Sequence, residues 1–454
     1  MLAVSAPALA QTQPLPAPSG RPMAIDFASD PVLGLSRTEG DFAAFRALIA
    51  GVVERHPGTA EFAANEDAAL AAVEEAREAQ LPSVDLSITS YRVIARDFSN
   101  DPSNIIERSR PEQRTDAIAS VAQTLFDFGA GERRVTAAGA RLRAAAAELE
   151  GTADRIAVNA IATWYELFGF RALVALTDAF IASQRDLRSA VEIRIRDGVS
   201  AESDLSRVDS YIAQAETRMA IYRRRLAGAE ARFEELTGFA PPAALQRAPA
   251  PPIHVANRDE AALAAMDAAA VRVANAAAAA ARNDARAARA DRLPQIVAGV
   301  DAGRYGVFEN DRDYDIRGRI ALRYRLFGGT DPRAEQVEAR ARSADARAAR
   351  ISEEAARDAS IAFSDMKALE QQLAALNEAY VASRVSRDAI VERFVSARGT
   401  LFDVVAAEDA YFTSATSYIQ ALTELDASRY ILLSRTGRLL EILQINPDRL
   451  RGEG

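Results

Sequence analysis

The side chains of this sequence that could do chemistry are charged groups without a catalytic arrangement. There is no cysteine, which excludes disulfides and thiolate metal sites, and His56 and His254 are the only histidines. The sequence contains no phosphate-binding glycine loop, no His–Glu metal pair and no nucleophile with a candidate base. Its paired acidic residues follow helical charge patterns, for which a solvated face is the default. The sequence therefore predicts no enzyme, no metal site and no cofactor.

An alternating stretch from Tyr314 to Leu326 carries a dense row of positive charge. Apolar and polar side chains alternate almost without interruption along this stretch, which predicts a strand with two unlike faces. At about 3.3 Å per residue it would span roughly 40 Å, and a tilted strand that crosses a bilayer needs about 9 to 11 residues. A soluble sheet with one buried face explains the alternation equally well. The arginines of the polar face are Arg317, Arg319, Arg323 and Arg325.

Two aspartates occupy matching places in an internal duplication. Asp204 precedes Gly238, and Asp403 precedes Gly437, by the same interval. A Leu-Phe pair ends at nearly the same distance before each of the two aspartates. Spacing preserved this closely indicates two copies of one supersecondary unit and a pseudo-symmetric object.

Each Leu-Phe pair is followed by an uncommonly long helical pattern. The first runs from Gly129 to Asp197, which at 1.5 Å per residue is roughly 100 Å, and the second runs from Asp331 to Ser396. Helices of this length need partners along their whole length, as in a coiled coil. Short turns then reverse the chain, and the pattern predicts Ser200 and Thr400 as N-caps of the two returning helices.

The remaining segments complete the predicted organisation. The first ten residues resemble the end of a truncated signal peptide, and residues 11–37 are predicted to be a disordered linker. Repeat 1 covers residues 38–238 and repeat 2 covers residues 258–445, each with a helix, two strands and a long helical hairpin. A Pro/Ala linker, 239–257, joins them, and 446–454 is a tail. The first helix is expected to break near His56-Pro57. A net charge of −9 argues against a nucleic-acid partner.

Four strands cannot close a membrane barrel, and open sheet edges are unsatisfied in lipid, so membrane strands would require oligomerisation. At this point the chain resembles the TolC-type outer membrane factors, over about residues 38–445. Each motif is short, but they recur in order and with matched spacing. The motifs that carry the resemblance are His56-Pro57, Leu81-Pro82, Leu125-Phe126-Asp127-Phe128-Gly129, Leu326-Phe327-Gly328-Gly329, the segment from Thr400 to Glu408, Tyr430, and the segment from Leu432 to Leu443.

The resemblance implies a mainly α fold with membrane β structure. Three copies would form a 12-stranded outer-membrane barrel, continued by a coiled-coil barrel of helices in the periplasm, with the linker near its equator. The implied function is a passive exit duct in the outer membrane of a Gram-negative bacterium, serving type I protein secretion or small-molecule efflux. Its implied partners are a periplasmic adaptor and an inner-membrane ABC exporter or proton-driven pump. The alternative is a soluble periplasmic coiled-coil scaffold or adaptor without a barrel.

The resemblance also implies roles for particular residues. Asp403 matches an acidic position that lines the family's periplasmic constriction, and three copies of it would favour cations. Its counterpart in repeat 1, Asp204, is the weaker candidate. The family's second acidic position falls on Ala406 and its tip glycine on Ala397, which are departures from the pattern. The alternative for Asp403 is a purely structural role, as a solvated aspartate at a helix N-terminus that the helix dipole stabilises.

The helix-reversal turns are expected to form the periplasmic entrance and to contact the adaptor. An exposed tip arginine without a partner is an equally good interpretation of Arg398. For the arginines of the alternating strand, the resemblance places them in the barrel lumen, where they either set selectivity or simply keep the lumen polar. The residues of the two turns are Gly198, Val199, Ser200, Arg398, Gly399 and Thr400.

Overall fold

The computed structural model describes residues 15–309, 312–325, 327–328, 330–396 and 398–450. The predicted signal-like segment and the motif or turn residues Leu326, Gly329 and Ala397 lie outside the described residues. The helices are α1 Pro31–Gly34, α2 Phe42–Arg55, α3 Pro57–Glu78, α4 Ile105–Ser109, α5 Ala130–Arg196, α6 Glu202–Thr237, α7 Arg258–Ala264, α8 Ala269–Ala290, α9 Thr330–Val395, α10 Leu401–Arg435, α11 Leu439–Ile442 and α12 Pro447–Leu450, and the strands are β1 Ser83–Arg92, β2 Gln113–Phe126, β3 Gln295–Tyr305 and β4 Tyr314–Arg323.

These elements form two compact units, and each unit takes segments from both sequence repeats. The first comprises the N-terminal residues through Ala63 with Leu149–Val271 and Ser352–Gly454; the second comprises Ala64–Glu148 and Arg272–Ile351. The predicted repeats therefore describe the duplication of the sequence, whereas the compact units describe how equivalent parts of the two copies pack together.

The strands of the second unit form an antiparallel sheet in the order β1-β2-β3-β4. Strand β4 ends at Arg323 because Arg323 pairs with Gln295, the first residue of β3, and Pro294 before it has no N–H to continue the ladder. The predicted strand through Leu326 is thus too long, and Arg325 lies beyond the strand.

The register gives the sheet one polar and one apolar face. Asp301 lies opposite Arg317, so both charges share a face, and Ala302 lies opposite Ile316 on the other. The apolar face is uncovered: Leu86 on β1 is 74% exposed and Ile320 on β4 is 78% exposed. A soluble sheet would bury such a face. In the described part of this single chain, no other apolar surface covers it.

Alanine cores hold together the helices of the second unit. Buried alanines recur every seven residues on α9, at Ala334, Ala341 and Ala348, as expected for closely packed antiparallel helices. Ion pairs with the same spacing flank them and join α5 to α8 or to the residue just after it, and α8 to α9. Because these pairs are partly exposed, each stabilises by at most about 1 kcal/mol and serves mainly to set register. They are Arg134–Asp291, Arg141–Asp284, Arg282–Asp345 and Arg289–Glu338.

Two predicted helices are interrupted, one where expected and one not. The break at His56 is confirmed: α2 ends at Arg55, α3 begins at Pro57, and the His56 Nδ1 accepts a hydrogen bond from the Gly58 N–H. The single helix predicted over about 258–292 is instead α7, a short 3₁₀ turn and α8. The chain is extended at Ala268, where the backbone of Gly437 passes so close that a Cβ on Gly437 would lie 3.2 Å from the Ala268 Cα.

Residues 15–37, which we call the N-terminal strap, are ordered rather than the predicted disordered linker. Leu15, Val32 and Leu33 are buried in a cluster with residues of α5, α6, α9 and α10. The Asp30 carboxylate caps α1 by accepting hydrogen bonds from the N–H groups of Val32 and Leu33. The Pro-rich composition of residues 11–22 suggested disorder. The strap is ordered because its apolar side chains pack against α5, α6, α9 and α10, which lie far away in the sequence.

Candidate functional site

The two helix-reversal turns have equivalent backbone geometry. In the first, Gly198 adopts a positive φ of 73° and the Val199 N–H donates to the Arg194 carbonyl at 2.9 Å. In the second, the Arg398 N–H donates to the Arg393 carbonyl, also at 2.9 Å. Both bonds span five residues and satisfy a carbonyl at a helix C-terminus, as in a Schellman motif. The duplication therefore extends to the atoms that close each turn.

Both candidate constriction aspartates are the third residue of a returning helix and cap its start. The Asp403 carboxylate accepts from the Thr400 hydroxyl at 2.7 Å and lies 3.4 Å from the Thr400 N–H. The Asp204 carboxylate lies 3.4 Å from the N–H of Ala201. Such reciprocal contacts, together with the helix dipole, stabilise a helix N-terminus. Asp403 is exposed and Asp204 is partly exposed, so the capping contacts leave the charge of Asp403 open to water.

The N-cap prediction is right for the second turn and wrong for the first. Thr400 caps α10, and its hydroxyl accepts from the Asp403 N–H. In the first turn the N-cap is Ala201, one residue beyond the predicted Ser200. The Ser200 hydroxyl instead accepts from the Arg194 Nε at 3.3 Å.

Arg194 links the two turns, a contact that the sequence reasoning missed. Its guanidinium lies over the ring of Phe394, 4.4 Å from the ring centroid, and donates to the Phe394 carbonyl at 2.9 Å. Phe394 itself is buried in an apolar cluster drawn from both hairpins. A basic residue in the last turn of a helix is the only sequence signal that pointed to this role. The cluster comprises Val191, Val208, Phe394, Leu401, Val404 and Val405.

Large apolar side chains are exposed next to both turns. Four of them are more than half exposed, although each belongs to a residue type that is usually buried. Exposed apolar side chains beside charged ones are typical of a surface that contacts another protein. Arg398 and Thr400 are exposed among them, while Gly399 is partly covered and approaches the Phe394 backbone. The four are Ile193, Val199, Val395 and Phe402.

The arginines of β4 share one face but do not form a bare cationic surface. Arg317 is paired with Asp315, and Arg319 lies 3.7 Å from Asp301 on the neighbouring strand. Arg323 lies on the same face by register. Because aspartates are interleaved with the arginines, their electrostatic fields largely offset one another. The polar face therefore carries charges of both signs, whereas the sequence of β4 alone suggested a row of positive charges.

A buried ion pair anchors the linker between the repeats. Arg247 of the linker contacts Asp426 of α10 through two hydrogen bonds of 2.5 and 2.8 Å, and it also pairs with Glu39 at 3.0 Å. Burial raises the pKa of the Asp426 carboxyl, an effect that the neighbouring guanidinium partly offsets. The indole of Trp164, packed edge-on against Phe45, donates to the carbonyl of residue 246 at 3.1 Å. Trp164 is partly buried and packs against an apolar cluster of the first unit.

Among the described residues, no single helix has the length and apolar composition to cross a bilayer, and one pair bent by 49°, Arg258–Asp267 with Ala269–Ala290, meets those criteria jointly.

Comparison with known proteins gives a consistent result. Residues 48–239 match a family model described as outer membrane efflux protein. No curated protein sequence matches the chain. The fold is similar to that of the outer membrane protein VceC from Vibrio cholerae, with a TM-score of 0.78 and 16% identity over 87% of this chain and 96% of that one.

Two further solved structures have the same fold. The CmeC outer membrane channel of Campylobacter jejuni aligns with a TM-score of 0.73 and 12% identity, over 95% of this chain and 94% of that one. The open state of the MtrE outer membrane channel of Neisseria gonorrhoeae aligns with a TM-score of 0.71 and 16% identity, over 87% of this chain and 89% of that one. The predicted fold, a long helical structure with a four-stranded sheet, is thereby confirmed.

Proposed function

We propose that this chain, whose residues 48–239 match the family model of outer membrane efflux proteins, is a gated exit duct assembled from three copies of itself. The family acts in tripartite export systems of Gram-negative bacteria, at the outer membrane, and the matched proteins are channels rather than enzymes. The coarse role is therefore an outer-membrane exit duct. The trimer, the gate and the identity of the exporting system are the parts that we propose.

The uncovered apolar face of the sheet is the observation that carries the proposal. A sheet with one apolar and one charged face fits a wall between lipid and a polar lumen. The outer strands β1 and β4 each have one edge without a partner in the described chain, and lipid would leave such edges unsatisfied. Three copies of the sheet, joined edge to edge, would supply 12 strands and remove every free edge. Arg317, Arg319 and Arg323 would then face the lumen, with Arg325 at its margin.

Cell fractionation tests the proposed assembly. We expect the full-length protein in the outer membrane as a trimer that resists SDS until it is heated. A soluble monomer or dimer in the periplasm would contradict the proposal and would instead favour the coiled-coil scaffold or adaptor.

The turns are proposed as the periplasmic entrance and as the surface that meets the adaptor. The exposed apolar side chains at Val199 and Phe402 fit a protein contact, and the Arg194–Phe394 contact supports a closed tip. Docking of the adaptor would separate the two hairpins and widen the entrance. Beyond the adaptor, the inner-membrane partner would be an ABC exporter or a proton-driven pump, and co-purification with either one distinguishes protein secretion from small-molecule efflux.

Asp403 is proposed as the main charge of the constriction, with Asp204 contributing less. We expect Asp403→Asn to reduce the cation preference of the channel several-fold in planar bilayers, because three clustered carboxylates would lose their charge. Asparagine preserves the shape of the cap, which separates loss of charge from loss of the helix end. The smaller effect is expected from Asp204→Asn.

Glu202→Gln provides the matched control, because it removes a negative charge from an exposed residue near the first turn. If Asp403→Asn and Glu202→Gln had the same effect on ion preference, Asp403 would be an ordinary helix cap and not part of a constriction.

A further inference from the structure

One ion pair occurs in both repeats but lies in opposite environments. When the repeats are aligned at their turns, with Asp403 on Asp204, the pair Arg188–Asp209 corresponds to Arg387–Glu408. In the first hairpin the two groups lie 2.6 Å apart, and the Arg188 side chain is 36% exposed. In the second hairpin they lie 3.4 Å apart, and the Arg387 side chain is 0% exposed.

The N-terminal strap contributes to the burial of the second pair. The carbonyl oxygen of Pro16 accepts a hydrogen bond from Arg387 at 3.1 Å. The backbone N–H of Ser19 donates to the carboxylate of Asp388, also at 3.1 Å, and Asp388 is fully buried. The strap thus supplies backbone partners to two charges that neighbour one another on α9.

A second contact fixes the strap farther along its length. The buried carboxylate of Asp30 accepts from the Tyr380 hydroxyl at 3.0 Å and forms an ion pair with Arg384. The Tyr380 hydroxyl also lies 3.0 Å from that of Tyr411 on α10. One carboxylate of the strap therefore contacts α9 directly and α10 through a tyrosine.

The charges beneath the strap are incompletely satisfied. In the described part of the chain, one Glu408 carboxylate oxygen and the Arg384 Nε have no hydrogen-bond partner. Burial raises the pKa of Glu408, and the Arg387 guanidinium only partly offsets this. Buried charges with unfilled hydrogen-bond positions gain solvation free energy when they become exposed to water. The equivalent pair of the first hairpin is partly exposed. The closed arrangement is consequently easier to open than an apolar seal of the same size.

We propose that the N-terminal strap is a releasable latch on the second hairpin, α9–α10: it restrains the hairpin while it is bound and frees it when it dissociates. Asp30 is the residue that mainly holds the strap in place. While the strap is bound, its contacts with Tyr380, Arg384 and Arg387 restrain this hairpin along the C-terminal part of α9. When it leaves, these charges regain water and the hairpin gains freedom. The arginines at the equivalent positions of the first hairpin, Arg185 and Arg188, are 63% and 36% exposed, so the latch acts on one hairpin of the pair. It concerns contacts within one chain and therefore stands independently of the exit-duct proposal.

Hydrogen exchange of the full-length protein in detergent tests the latch. Asp30→Asn keeps the cap of α1 and an acceptor for Tyr380 but leaves Arg384 without its counter-charge. We expect amides of residues 15–37 and 380–412 to exchange about tenfold faster, and those of residues 181–213 to change less than about twofold. The matched control is Asp26→Asn, an exposed strap aspartate that caps its own short turn through the Ala28 N–H.

Two results would overturn the latch. One is unchanged exchange in the strap and the second hairpin; the other is equal acceleration in both hairpins, which indicates general destabilisation. If Asp30→Asn does not fold, Ser19→Pro serves as the milder variant, since it removes the N–H that reaches Asp388 and otherwise only a hydroxyl that accepts from the exposed Arg21 N–H. The same regional pattern is expected from it, and its absence counts equally against the latch.

Discussion

Replacing Asp426 with alanine is expected to lower the free energy of unfolding by about 3–5 kcal/mol. The carboxylate is fully buried and is the principal counter-charge of Arg247, which is itself 5% exposed. Its loss leaves a buried guanidinium with only the partly exposed Glu39 and a carbonyl. Denaturant unfolding in detergent measures the change, and Trp164, the single tryptophan, reports directly on the linker that it contacts.

Asp409→Ala is the control on the same helix. Asp409 pairs with Arg218 at 2.9 Å, but both side chains are more than a third exposed, so we expect a loss of at most about 1 kcal/mol. Similar losses in the free energy of unfolding from the two variants would mean that burial does not increase the contribution of the Arg247–Asp426 pair to stability. Replacing Arg247 and Asp426 together by methionine and leucine is expected to recover much of the stability, since neither charge is then left alone.

Arg194→Ala is expected to shift the equilibrium between closed and open tips toward the open form. The substitution removes a charged hydrogen bond to the Phe394 carbonyl and a cation–π contact, together about 2 kcal/mol for a partly exposed group. Since about 1.4 kcal/mol corresponds to a tenfold change, the shift is roughly 30-fold. Single-channel recordings in planar bilayers measure it as the fraction of time spent at high conductance.

Arg196→Ala removes the same charge two residues later, from an exposed position at the end of α5. It should leave the open fraction nearly unchanged. An equal response from both variants would assign the effect to net charge at the entrance, and no response from Arg194→Ala would remove the Arg194–Phe394 contact from the proposed gate.

Periodicity and duplication predicted most of the architecture because both are local signals. The two strands of each repeat, the two long helices and their reversal turns all lie close to where the sequence placed them. The equal placement of Asp204 and Asp403 as the third helical residue follows from the same matched spacing. Features set by a residue's immediate neighbours in sequence were therefore accessible.

Features set by distant contacts were not accessible. Nothing near Ala268 signals a helix break, and the close approach of the Gly437 backbone to Ala268 joins positions far apart in the sequence. Likewise the Arg194 side chain gains its role from Phe394, and the strap is ordered by α9. At the candidate site, the sequence identified which residues lie at the turns but not which of them join the two turns together.

The evenly spaced ion pairs between α8 and α9 have a consequence for how the chain reaches its native alignment. If the two helices slid by one heptad, Arg282 would face Glu338 and Arg289 would face Asp331, so both arginines would still meet a carboxylate. The ladder therefore distinguishes poorly between the native alignment and a shifted one. The β3–β4 hairpin, which directly joins these helices, therefore has to select the native alignment, because helices that pair before this hairpin forms would gain two equivalent ion pairs one heptad out of register.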